Sequence, residues 1–239
     1  MILLSLLLSS LAAALGASPP PPDAFEDGFE RGLCLGGCRG WNWASSQQIE
    51  GALDVVPGRG GKVLRARTEA RGERVPKAAL IARPAKLAPG ATVRVALHLM
   101  VPEGAPLNSI HLVDLECASC GEAGNPGIRL YLRHGRLRVD RSKIGHRDAW
   151  TNDSAPQLQK GKWHRIDLDV ELGFGDRGRV EARLDGRPVL QARGDTLLRP
   201  LGGAAAGADR VQIGLTASSN AGPAVAYLDN VAVTVARPR

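Results

Sequence analysis

Residues 163–172 (WHRIDLDVEL) put His164, Ile166, Leu168, Val170 and Leu172 on one side and Trp163, Arg165, Asp167, Asp169 and Glu171 on the other. A period of two is the period of a β-strand, whose successive side chains leave opposite faces. Residues 93–101, 110–115, 127–133, 135–140, 179–184, 187–192, 210–216 and 224–235 read the same way, bounded by Gly, Pro, Asn and Asp. Asp185-Gly186 falls between two alternating runs and predicts a tight hairpin; His134-Gly135 marks a second. No window sustains helical periodicity over three turns, and 29 Gly with 16 Pro exclude a helical bundle. Many short strands at this spacing predict an all-β antiparallel sandwich or barrel.

The N-terminus reads differently. Residues 2–16 (ILLSLLLSSLAAALG) form an apolar run too short for a comfortable membrane span and followed by small residues. We expect a signal peptide over residues 1–17, a Pro-rich linker over 18–22, and a single domain over 23–239 with no membrane span in the mature chain. The expected localisation is secreted or periplasmic. Export turns Cys34, Cys38, Cys117 and Cys120 into disulfide candidates. The local pairing, Cys34–Cys38 and Cys117–Cys120, is preferred, with Gly36 and Gly37 letting the first loop fold back. A joint four-thiolate zinc site is the competing reading, and a thioredoxin-like motif lacks the helix it needs after Cys120.

Lys and Arg total 31 against 24 Asp and Glu, a net charge of +7. That excess points to an anionic partner. It does not point to nucleic acid, because no block of like charges and no helix-turn-helix or zinc-finger spacing is present.

Four stretches, in order, resemble secreted concanavalin A-like proteins: residues 23–32 (DAFEDGFERG) with Trp41, residues 161–170 (GKWHRIDLDV), residues 178–189 (GRVEARLDGRPV) and residues 227–233 (YLDNVAV). The last resembles the closing strand, with Asp-Asn ending a turn. The resemblance implies a two-sheet antiparallel jelly-roll sandwich. That superfamily holds lectins, laminin-G-like modules, glucanases and polysaccharide lyases, so the fold leaves function open. No cofactor is expected. Calcium enters only through the laminin-G-like resemblance, and no dense Asp cluster supports it.

A sandwich glucanase needs two carboxylates about one pleat apart. Asp114 and Glu116 offer that spacing, but Leu112 stands where the glucanase pattern has its first Glu. Three further fragments are similar to motifs of jelly-roll alginate lyases: residues 67–71 (RTEAR), residues 109–111 (SIH, for Q-I-H) and residues 131–135 (YLRHG, for Y-F-K-x-G). The resemblance implies that Arg67 and Arg71 bind carboxylate, His111 acts as base or stabiliser, and Tyr131 acts as acid or base. Ser109 replaces the amide that shares carboxylate neutralisation in that family. Strict alternation gives His111 another place, on the core side with Val113, Leu115 and Cys117.

Around Tyr131 the alternation turns Arg129 and Arg133 outward beside it, with Arg136 and Arg138 outward after the turn. Guanidinium groups match carboxylates bidentately. Trp41 and Trp43 lie on one side of an extended stretch, either in the core or as a sugar platform. The leading expectation is an exported carbohydrate-binding module for an acidic polysaccharide. The alternatives are a lyase cleaving uronic-acid polymers by β-elimination, and an envelope or adhesion module that binds protein.

Overall fold

The computed structural model describes residues 24–36, 43–120, 124–200 and 206–238. The expected signal peptide, the linker, Cys38 and Trp41 lie outside them. The strands are β1 (Ala24–Asp27), β2 (Trp43–Ile49), β3 (Gly51–Pro57), β4 (Lys62–Thr68), β5 (Lys77–Ala82), β6 (Thr92–Met100), β7 (Ile110–Glu116), β8 (Gly127–Arg133), β9 (Arg136–Asp140), β10 (His164–Glu171), β11 (Arg179–Leu184), β12 (Arg187–Arg193), β13 (Arg210–Ser218) and β14 (Ala224–Ala236). They form two antiparallel sheets. The six-stranded front sheet runs β2-β5-β13-β7-β8-β9. The eight-stranded back sheet runs β12-β11-β10-β6-β14-β4-β3, with β1 also paired to β14. This is the expected jelly-roll sandwich. Among the described residues no helix is long and apolar enough to cross a membrane.

The core forms where the inward sets meet. Val93, Val95, Leu97 and Leu99 of β6 and Ile166, Leu168 and Val170 of β10 are all buried between the sheets. Each such side chain contributes about 1.5–3 kcal/mol relative to exposure. The outward set of β10 pairs with its neighbours, as in Arg183 Nη1 to Asp169 Oδ2 at 2.8 Å. Asp185 and Gly186 both take positive φ (52° and 78°), as a tight two-residue hairpin requires. His134 and Gly135 do the same at 51° and 72°.

Two details differ from the sequence reading, and one open choice is decided. Strands β2 to β5 carry weak alternation, since SSQQ in β2 is polar on both faces and KAALIA in β5 is almost uniformly apolar. Asp229-Asn230 ends no turn: it is a bulge inside β14, whose first half pairs with β4 and whose second half pairs with β1. Trp43 is core, 1% exposed, with its indole N–H donating to Asp27 Oδ2 at 2.8 Å and Phe25 packed edge-on.

Cys117 and Cys120 are bonded to each other across 5.5 Å between Cα atoms. This removes two of the four thiolates a joint zinc site would need. Cys34 is also disulfide-bonded. The Cys117–Cys120 loop is held by Asp209, which accepts the backbone N–H groups of Ala118 and Ser119 at 2.6 and 3.1 Å.

Candidate active site

The outer face of the front sheet is organised by an irregularity in β7. The pairing of β7 with β8 shifts between His111 and Val113, and its pairing with β13 shifts at the same place. An extra residue in a strand sends what precedes it to the other face. His111 therefore leaves the core side, where Val113 and Leu115 remain, and joins Asp114 and Glu116 on the outer face.

There it lies opposite Tyr131 of β8, the two rings stacked at 5.2 Å between centroids and 17° between planes. Burial, and next the charge of Arg129, push the His111 imidazole down to about 4. The ring is neutral at neutral pH, and its buried Nδ1 meets no hydrogen-bond partner.

Asp114 and Glu116 are 2% and 1% exposed. Thr216 Oγ donates to Asp114 Oδ1 at 2.7 Å, and Gln212 Nε2 donates to Glu116 Oε2 at 2.8 Å. Lys143, from a 3-10 turn (Ser142–Ile144), ion-pairs with Glu116, and Arg210 stands 3.8 Å from it. Burial, then the adjacent Glu116, raise the Asp114 carboxyl to about 6, partly offset by the Thr216 hydrogen bond. Two carboxylates this covered do not flank a glycosidic bond as a glucanase pair must. They form a charged layer beneath the His111–Tyr131 surface.

The predicted arginines divide. Arg129 and Arg138 sit on this face, paired with Asp140 and with Asp153 respectively. Arg136 lies on the same hairpin, its Nε–H donating to Ala155 O at 2.9 Å, and Arg133 pairs with it across the turn, exposed. Arg71 follows β4 in a loop and reaches Ser219 Oγ at 3.4 Å, while Ser219 N–H donates to Ser109 O, so Arg71 lies near the His111 end of β7. Arg67 is not brought to this site. It lies on β4 in the back sheet, exposed, with Asp54 at 3.8 Å.

Sequence reasoning missed Lys77, Lys143, Arg210, Gln212 and Thr216. No local pattern marks them, because strand order sets β13 beside β7 and β5 next to β13, and Lys143 arrives on the turn after β9. Nε–H of Arg129, Arg138 and Arg210 are buried without acceptors, as is His111 Nδ1 without a partner. An unmet buried polar atom costs about 1–3 kcal/mol. The partly exposed guanidinium groups of Arg129, Arg138 and Arg210 make this a cationic face that suits a ligand rich in oxygen and negative charge.

A groove of about 290 Å³ on the back sheet, lined by Arg94, Asp169, Glu181 and Arg183, makes no comparable case. Its charges neutralise one another through the pairs Arg94–Asp169, Arg183–Asp169 and Arg183–Glu181. Among the described residues no group of three or more His, Cys, Asp or Glu side chains is placed to hold a metal ion.

No protein-family model and no curated protein sequence matches the chain. Solved structures do match. The fold is similar to that of an endo-β-1,4-glucuronan lyase from the fungus Trichoderma reesei, with TM-score 0.63, 15% identity, 80% of this chain and 90% of that one covered. It is similar to the alginate lyase Aly36B, with TM-score 0.60, 10% identity and coverage of 91% and 99%. It is also similar to the alginate lyase vAL-1 from Chlorella virus, with TM-score 0.52, 13% identity and coverage of 82% and 93%. At these identities the likeness is one of fold, the concanavalin A-like jelly roll.

Proposed function

We propose that the chain is an exported polysaccharide lyase that cleaves a uronic-acid polymer by β-elimination. The observation that carries this is the stacked His111–Tyr131 pair, turned out of the core by the bulge and surrounded by cations. The lyase folds among the structural neighbours support it, and the Cys117–Cys120 disulfide supports export.

The reaction removes the proton on C5, next to the carboxylate, and breaks the C4–O bond. One ring nitrogen of the neutral His111 imidazole keeps a free lone pair and is the base. A ring that stays neutral down to about pH 4 keeps that lone pair available. The electrons of the C5–H bond become the C4=C5 double bond, and those of the C4–O bond go to the departing oxygen. That oxygen takes the Tyr131 hydroxyl proton, and Tyr131 recovers one through the stacked imidazolium or solvent. Negative charge gathers on the carboxylate in the transition state, where the cations of the face stabilise it.

The experiment is absorbance near 235 nm, where the unsaturated uronate absorbs, with the purified protein on glucuronan, alginate, heparin and chondroitin. We expect a rise on one of them, reduced about 10²- to 10⁴-fold by Tyr131→Phe. Salt-sensitive retention on these polymers with no rise overturns the lyase in favour of the binding module. Neither rise nor retention overturns both and leaves the protein-binding adhesion module.

A further inference from the structure

Five cations surround His111 and the carboxylate layer: Lys77, Arg129, Arg138, Lys143 and Arg210. Four of them are engaged. Arg129 holds Asp140, Arg138 holds Asp153, Lys143 holds Glu116, and Arg210 donates to Gln212 Oε1 at 3.1 Å. Lys77 is the exception. It opens β5, one residue before Ala78, which pairs with Leu215, and so lies beside Thr216 and the Asp114 carboxyl that Thr216 holds. It is half-buried, and among the described residues it makes no hydrogen bond or ion pair. A lysine kept as counter-ion to Asp114 or Glu116 would touch one of them. Lys77 touches neither, although both act on it through space together with Lys143 and Arg210.

A half-buried ammonium without a partner costs free energy unless something arrives to pair with it. Ala78, Leu80 and Ala82 point into the core, so Lys77 points out, to the face of His111. β13 is the one strand between β5 and β7, which sets their backbones about 10 Å apart. Two side chains and one carboxylate span that gap. His111 lies on the other side of it.

We infer that Lys77 receives the carboxylate of the uronate whose C5 proton His111 removes, in place of the amide that Ser109 lacks. The inference rests on the lyase reading. It makes Lys77 the residue that distinguishes a free uronic acid from its methyl ester or a neutral sugar.

The test is calorimetric titration of uronate oligosaccharides (glucuronate, mannuronate and guluronate, each as free acid and methyl ester) into Tyr131→Phe protein, with and without Lys77→Met. Losing a charge-assisted contact should weaken free-acid binding about tenfold or more. Ester binding should stay within about twofold, and Lys77→Arg should restore most of the loss. The melting temperature of Lys77→Met should equal or exceed that of its parent, because an unpaired, partly desolvated charge is removed. Equal weakening for acid and ester, no weakening, or a lowered melting temperature with unchanged binding would each overturn the assignment. So would failure of the parent to bind any of the acids. A chain without 235 nm turnover that shows the acid-specific loss would retain Lys77 and lose only the lyase reading.

Discussion

Asp114 and His111 should pull stability in opposite directions over the same pH range, and replacing either should expose the other. The folded Asp114 carboxyl titrates near 6 against 3.8 for the free group. Its raised value means that the folded state holds the proton more tightly, so its contribution is full below about pH 4 and is lost as pH rises through about 6. His111 is the reverse. Its folded value near 4 lies below the ordinary 6.5, so its contribution is full above 6.5 and is lost as pH falls toward 4. Each shift is a little over two units, at about 1.4 kcal/mol per unit. Going from pH 7.5 to pH 4.5, Asp114 should add about 2 kcal/mol and His111 remove about 2.5 kcal/mol, leaving these two terms nearly cancelled. Asp114→Asn keeps an acceptor for Thr216, which donates at 2.7 Å, and removes the charge beside Glu116. Urea unfolding of this variant should show stability above the parent at pH 7.5, with that advantage about 2 kcal/mol smaller at pH 4.5. His111→Gln should show the opposite slope. The carboxylates held below their ordinary range, such as Asp54 and Asp185, titrate lower and are common to all three proteins. A profile for Asp114→Asn parallel to the parent would refute the reasoning: Asp114 would then not be a buried, protonatable group in the folded state.

Two further outcomes test the frame around the site. Gly186→Ala meets no atom within 4 Å but must hold φ at +78°, so we expect about 1–2 kcal/mol of destabilisation from backbone strain alone; an unchanged urea midpoint would count against the turn geometry. Trp43→Phe should cost about 1.5–3 kcal/mol, because Asp27 loses an indole donor at 2.8 Å, and a melting temperature equal to the parent's would show that water replaces that bond without penalty.

The sequence alone determined those strands that are half-buried. In β6, β10 and β11 one face packs on the core and the other meets water, so alternation was written into the residues and fixed which side chains went inside. Turns that need positive φ were equally legible, because Asp185-Gly186 and His134-Gly135 are among the few dipeptides that adopt it readily. Tyr131, Arg129 and Arg138 could be placed on one face for the same reason. Strands whose two faces look alike, such as β2 and β5, left no such record. The position of His111 was decided by tertiary structure. One extra residue in β7 relative to β8, where the pairing with β13 also shifts, reversed the face that strict alternation assigns it. The cluster around it followed the same logic. Lys77, Gln212, Thr216 and Lys143 are far from His111 in the chain and share no motif with it. Lys77, Gln212 and Thr216 meet it because β5, β13 and β7 run consecutively in the sheet, and Lys143 because the turn after β9 folds back to Glu116; such tertiary order is a property of the closed sandwich that no local stretch encodes. Arg67 shows the converse: a motif fragment that looked right in the sequence lies on the opposite sheet, because β4 pairs with β3 and β14.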